Sequence, residues 1–305
     1  GGPVVSVRHV VKETMAGRFW TWDNLDHSSA AVLLVDHLPG ADHNRLEPFG
    51  QGHFTLAFRL GNLVIRVARH REAAAALRRE SCVLAEIAPM LPLPVPRPAY
   101  HVPRGCPPFT IHDIIVGEAL TRDAWVKMPA PAREKAAGDL ATFLRALHCL
   151  PVGLAQPCGV MQHDAAELAE SLRKKATKKI YGSLEPLMRR RLDETLVRWS
   201  QPPHDSRRPV LLHCDIAPGH LLFDPPAGNL TGVIDFGDSA VGEPARDFIY
   251  IYDDYGPDIL EEVLKRYTGR DTPAMMPAIR KWYLLETLLW AVELNAPQHP
   301  AGLAH

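Results

Sequence analysis

The segment Val210-Leu-Leu-His213-Cys-Asp215-Ile-Ala-Pro-Gly-His220-Leu-Leu-Phe, followed by Gly232-Val-Ile-Asp235-Phe-Gly-Asp238 and then Asp247, sets carboxylates and imidazoles at the ends of apolar runs. Such runs read as strands, and a hairpin between them would carry Asp215, His220 and Asp235 to one end. Oxygen-rich side chains gathered there suit a divalent cation, a triphosphate and a hydroxyl acceptor. Asp215 has the chemistry to orient an attacking hydroxyl and to take its proton late in an in-line displacement. Asp235, ending the run Thr231-Gly-Val-Ile, would turn a hard oxygen ligand toward Mg2+. His220 reads either as a second metal ligand or as a loop-packing, water-bridged imidazole. His213 fits a loop-holding hydrogen-bond partner, with a direct chemical role as the alternative.

Further candidates lie upstream and downstream. Gly50-Gln51-Gly52-His53-Phe54-Thr55 falls between two strand-like runs, where glycines let main-chain N–H groups approach phosphates, although any hairpin could use the same turn. Arg66 lies in Leu63-Val-Ile-Arg66-Val, alternating with Ile65 and Val67, and Glu80 on the next helix is placed to pair with it. A guanidinium is permanently charged and grips phosphate through two parallel hydrogen bonds, so Arg66, or Arg69 nearby, suits a polyphosphate. After Asp235 the chain turns acidic: Asp238, Asp253, Asp254, Asp258, Glu261, Glu262, Glu286 and Glu293. Most belong to solvated helix faces, but Asp238, Asp253, Asp254, Glu286 and Glu293 could receive a cationic acceptor, and Trp290 could stack on a sugar ring.

The elements that must position these groups follow from periodicity. Leu46–Gly52, Phe54–Leu60, Leu63–Val67 and Phe109–Val116 read as strands, and Arg71–Ala88 as a helix buried on one side. The proline-dense run Pro89–Pro98 reads as an extended connector. Beyond Gly117 the pattern turns helical, with spans at Ala132–Leu150, Leu184–Trp199, Phe248–Tyr252, Pro257–Tyr267 and Pro273–Leu294. The reading is an α+β chain in two lobes, with an antiparallel-sheet N-terminal lobe over 1–112, including an extra segment 1–45, and a larger, mainly helical lobe over 113–305.

Composition excludes several classes. A formal net charge of −1 offers no overall basic field for nucleic acid, and no apolar run is long enough to cross a bilayer. The five cysteines are scattered, without a Cys-x-x-Cys pair, which favours reduced thiols over a disulfide framework or zinc site. The expectation is a cytoplasmic monomer.

Taken together, the Arg66–Glu80 strand and helix, Leu91-Pro-Leu-Pro-Val-Pro, the Gly117 turn, the Leu140–His148 helix, the His213–Asp224 loop, Ile234-Asp-Phe-Gly-Asp and the Asp247–Gly256 stretch resemble, in order, the aminoglycoside phosphotransferase family and within it the aminoglycoside 2''-phosphotransferases. The resemblance covers roughly residues 45 to 295. It implies a protein-kinase-like fold, Mg2+, ATP or GTP as donor, and phosphate transfer to a hydroxyl of an aminoglycoside held by acidic residues. It also implies a nucleotide site that includes Asp113, Ile114 and Ile115, and metal ligation by His220, which stands where the wider kinase pattern has Asn. Arg66 departs from the expected Lys. Kinases for a macrolide, choline or homoserine, and a nucleotide-binding relative without catalysis, remain the alternatives. No Ala-Pro-Glu segment follows the Asp-Phe-Gly, which disfavours a protein kinase.

Overall fold

The structure is a computed structural model that describes residues 22, 25–35, 37–38, 46–51, 54–200, 208–267 and 272–294. The chain divides into two compact units, one of residues 1–88 and 96–115 and the other of 89–95 and 116–305. No helix among the described residues is long and apolar enough to cross a membrane.

In the first unit, helix α1 (His27–Val35) precedes three antiparallel strands, β1 (Leu46–Gln51), β2 (Thr55–Leu60) and β3 (Leu63–Ala68). The β2–β3 turn is tight because Gly61 takes a left-handed φ of 60° and Leu60 pairs directly with Leu63. Helix α2 (Arg71–Ile87) starts where His70 accepts the Ala73 N–H at 3.2 Å, and it buries Ala73, Leu77, Glu80, Val83, Leu84 and Ile87 on one stripe. Strands β4 (Ala99–His101) and β5 (Phe109–Asp113) complete a sheet of order β1-β2-β3-β5-β4. Leu56 and Phe58 of β2, Ile65 and Val67 of β3, and Phe109 face a core shared with Ala30 and Leu34 of α1. Alternation along β3 sends Arg66 away from that core, so its direction is fixed by the apolar residues on either side.

The second unit contains β6 (Glu118–Ala119), α3 (Arg122–Lys127), α4 (Ala130–Cys149), β7 (Met161–His163), α5 (Ala165–Lys179), α6 (Pro186–Trp199), β8 (Val210–Leu212), β9 (Leu221–Asp224), β10 (Asn229–Val233), β11 (Ala240–Gly242), α7 (Pro257–Tyr267) and α8 (Thr272–Leu294). Two small sheets, β10-β9-β6 and β7-β11-β8, sit among the helices. Helix α4 buries Leu140, Phe143, Leu144, Leu147 and His148, packing on α7 and on strands β8 and β10. Gly117 lies so close to Thr231 Oγ1 and the Leu222 side chain that a Cβ there would collide, which explains the glycine before β6. Pro89–Val95 belongs to this unit, where Pro94 O accepts the Val233 N–H at 3.0 Å.

The structure adds detail to what periodicity predicts. Phe248–Tyr252 lies within a helical stretch that opens as the 3₁₀ turn Pro244–Phe248 and closes as the π-turn Ile251–Tyr255. Ala99–His101, adjoining the proline-rich connector, is a strand paired with β5. Cys106 and Cys214 are buried free thiols, and Cys149 is an exposed one.

Candidate active site

In the second unit, three consecutive main-chain N–H groups at the end of β8 are held by side chains. Asp247 Oδ2 accepts from His213 at 3.0 Å, Asp247 Oδ1 accepts from Cys214 at 2.7 Å, and His213 Nδ1 accepts from Asp215 at 3.2 Å. This capture keeps Cys214 at φ 70°, a left-handed backbone that costs a residue with a Cβ roughly 1–2 kcal/mol, and so sets the direction in which Asp215 leaves the strand. Asp247 is fully buried; burial pushes its carboxyl up, yet the hydrogen bond from His148 and the His213 N–H outweigh this and hold it below the usual range.

His213 is buried, and burial drives its imidazole down to about 4, so the ring is neutral near pH 7. With Nδ1 accepting from Asp215, Nε2 must carry the hydrogen and donate to Ile234 O at 3.1 Å. Ile234 N–H in turn donates to His220 O at 2.9 Å. These two bonds tie the loop after β8 to the end of β10, where Asp235 also takes a left-handed φ of 67°. Behind it Phe236 is buried, with its ring 4.4 Å from that of His213.

His220 stands between the two carboxylates. Its Nδ1 donates to Asp215 O at 2.9 Å and lies 3.2 Å from Asp215 Oδ2, while Nε2 faces Asp235 Oδ2 at 3.6 Å. A carbonyl only accepts, so Nδ1 holds the hydrogen and Nε2 is the nitrogen turned toward Asp235. Asp235 offers the hard oxygen ligand that magnesium favours, and His220 beside it would be the second residue to hold the ion. Among the described residues no group of three or more His, Cys, Asp or Glu is arranged to hold a metal. Magnesium at a nucleotide usually keeps water and phosphate oxygens among its ligands.

The carboxylates repel one another. Burial, followed by the charges of Asp235, Asp238 and Asp254, raises the Asp215 carboxyl to about 6 against the opposing pull of His220. Asp254, on the π-turn with Asp253, is pushed up to about 6 by burial and then by Asp253. Asp215, Asp238, Asp253 and Asp254 thus form one region of unfavourable negative charge, which a cation would relieve. Glu286 is engaged otherwise: Oε1 accepts from Arg246 Nε at 3.1 Å and from Nη2 at 2.8 Å. Trp290 is 45% exposed, whereas Trp282 is buried and donates through Nε1 to Glu243. Glu293 lies in α8, but its side chain is outside the described residues.

In the first unit, Arg66 Nη1 donates to both oxygens of Glu80, at 2.9 and 2.7 Å. Glu80 is 1% exposed, so the pair locks the Arg66 side chain to α2. Gly50 is exposed at a register shift in β1, Phe54 is exposed with its ring 5.3 Å from that of His70, and Thr55 is buried at the start of β2. Gly52 and His53 lie outside the described residues. Asp113 ends β5, and Ile114 N–H donates to Asn62 O at 2.8 Å, with Ile115 half-buried beyond it.

The sequence reading did not single out His148 or Arg246. His148 had a signal, an imidazole closing the apolar stripe Leu140, Leu144, Leu147. Arg246 had none, because its partner Glu286 lies far along the chain.

Solved structures with the same fold include the GDP complex of wild-type aminoglycoside 2'-phosphotransferase-IIIa, 22% identical with a TM-score of 0.80 over 90% of this chain and 94% of that one. The GDP and kanamycin complex of APH(2")-IIIa is 23% identical, with a TM-score of 0.77 over 86% and 90%. Macrolide 2'-phosphotransferase MphH from Brachybacterium faecium is 21% identical, with a TM-score of 0.65 over 88% and 94%. The sequence model of the phosphotransferase enzyme family matches residues 45–282, which contain Arg66, Glu80, Asp215, His220, Asp235 and Asp247. With that match spanning most of its length, the chain belongs to the phosphotransferase enzyme family, and its fold is the kinase-like one of these enzymes.

Proposed function

We propose that the protein transfers the γ-phosphate of ATP or GTP to a hydroxyl of a cationic aminoglycoside. The observation that carries this reading is the join made by His220 between Asp215 and Asp235, set within the acidic region of Asp238, Asp253 and Asp254. Asp215 orients the acceptor hydroxyl and takes its proton, a role helped by a carboxyl raised toward neutrality, where proton affinity is greater than that of an ordinary Asp. Asp235 and His220 would hold Mg2+, which when bound neutralises charge on the phosphate oxygens. Arg66, fixed by Glu80, presents a cation suited to a nucleotide phosphate. His213 holds the loop through both ring nitrogens, its Nε2 hydrogen engaged with Ile234 O. The acidic π-turn draws an acceptor bearing ammonium groups and disfavours a neutral or anionic one.

Kanamycin in one structure of the same fold supports an aminoglycoside, and a macrolide phosphotransferase among the others makes a macrolide the second reading. A coupled assay of ATP and GTP turnover across aminoglycosides, macrolides, choline and homoserine decides between them. Turnover is expected with aminoglycosides and to require Mg2+. Turnover confined to macrolides, or to choline or homoserine, would replace the proposed acceptor, and none with any acceptor would favour a nucleotide-binding protein without catalysis.

A further inference from the structure

Helix α1 carries none of the groups assigned above, yet its first residue reaches the glycine turn. Asp26 fixes the start of the helix: its Oδ1 accepts the Ser29 N–H at 2.7 Å, and its own N–H donates to Ser29 Oγ at 2.9 Å. His27 follows, and with Ala30 and Leu34 it lies on the stripe that faces β2 and β3, since residues three and four apart share a helix face. Ala30 and Leu34 are fully buried there. The His27 ring meets Phe58 of β2 edge-on, with centroids 5.1 Å apart, and its Nε2 lies 3.0 Å from Gly50 O. A carbonyl only accepts, so Nε2 carries the hydrogen and donates it. The β1–β2 register shifts between Pro48 and Gly50, so this bond falls where the ladder is interrupted.

We infer that His27 is a positioning residue for the nucleotide phosphates, acting through the Gly50 carbonyl. The inference rests on the turn that Gly50 opens being the phosphate-binding one. A trans peptide is a rigid plane, so the bond that fixes Gly50 O also fixes the Gln51 N–H, which points the opposite way across that plane. Gly50 leads into the turn where main-chain N–H groups would approach phosphate, and without a Cβ its backbone has more freedom to lose than any other on β1. Three features favour this role over packing alone. The bond is directional, whereas a Leu in place of His27 would cover Phe58 as well without a polar tip to satisfy. It ends on the glycine at the turn and not within the regular part of the strand. Gly50 is exposed, so its carbonyl could turn to water at little net cost to stability, and what the imidazole adds is direction.

His27→Leu removes the donor and keeps an apolar contact with Phe58, and His27→Gln keeps an N–H donor. Each full-length variant is titrated calorimetrically with Mg2+–ADP and with Mg2+–GDP beside the parent, its melting temperature is recorded, and the carbonyl-carbon NMR shift of Gly50 is measured without ligand. Losing one oriented hydrogen bond is expected to weaken both nucleotides about three- to tenfold in His27→Leu, alike for the two because they share their phosphates and differ in the base. The Gly50 carbonyl should move upfield, and the melting temperature should stay near that of the parent. His27→Gln should restore most of the affinity and of the shift. Unchanged affinity in His27→Leu, equal losses in the Leu and Gln variants, a loss confined to one base, or an unmoved Gly50 carbonyl would overturn the inference. If His27→Leu does not fold, His27→Ala carries the test with the same outcomes. A parent that binds neither nucleotide would remove the phosphate-binding turn itself, and the inference with it, while the Gly50 shift would still report whether His27 holds the peptide.

Discussion

Asp215 illustrates a side chain kept in an environment that its charge opposes. Burial and three neighbouring carboxylates raise it from 3.8 to about 6. A carboxyl raised in the folded state stabilises the fold while it is protonated, and that contribution is lost as pH climbs through about 6. Asp215→Asn, always neutral, should therefore unfold at a higher temperature than the parent at pH 8. The raised carboxyl corresponds to about 2–3 kcal/mol, and the gain should shrink to a small fraction of that by pH 4, where the folded carboxyl is protonated and the unfolded one about half ionised. The same substitution should abolish acceptor-dependent turnover while nucleotide still binds, so stability and activity move in opposite directions. Thermal melts at the two pH values decide the first part. A gain as large at pH 4 as at pH 8 would show that ionisation of Asp215 is not its cause.

Strand β3 and helix α2 are joined by one ion pair, which changes what a substitution at Arg66 reports. Arg66→Ala takes the guanidinium from the Glu80 carboxylate, 1% exposed, and breaking a buried pair from one side costs roughly 3–5 kcal/mol. The single variant should thus lose stability as well as nucleotide affinity. Arg66→Ala with Glu80→Gln should recover much of the stability but not the nucleotide KM, if the guanidinium grips phosphate. Recovery of both would reduce Arg66 to a structural tie. The periodicity of Leu63-Val-Ile-Arg66-Val and the stripe on α2 made this pair readable, because alternation and helical spacing dictate which face each residue takes. Helix α1 was not readable, since Ala-Ala-Val-Leu-Leu-Val is apolar without a period, although Ala30 and Leu34 prove fully buried. The helical stretch around Phe248–Tyr252 was readable, but its wider π-turn at Ile251–Tyr255 was not, because no residue type marks it. The clamp of Asp247 on His213 and Cys214 was hidden for another reason: its donors are main-chain N–H groups, which every residue but proline carries.

Across the whole molecule the formal charge is −1, so there is little net field to steer a polycation, and any attraction must come from local placement of acids. The acids are unequal in this respect. Asp253 and Asp254 oppose each other on one π-turn, and Asp254 is raised to about 6, so an ammonium group there would relieve repulsion that the fold leaves in place. Glu286 already has the Arg246 guanidinium at 2.8 Å, and an acceptor would have to compete for it. Asp253→Asn with Asp254→Asn should therefore raise the KM of an aminoglycoside about tenfold or more, with nucleotide KM nearly unchanged, since each lost charge contact is worth on the order of 1 kcal/mol. The parent's acceptor KM should also climb as salt increases, because the Debye length shrinks from about 10 Å at 0.1 M to 3 Å at 1 M, and the double variant should show a flatter slope. Glu286→Gln should behave differently, lowering the unfolding temperature through a buried Arg246 left without its partner charge and changing acceptor KM little. If Glu286→Gln raised acceptor KM as much as the Asp253/Asp254 pair did, with the melting temperature unchanged, the acceptor's cationic groups would have to be placed on α8 instead of on the π-turn.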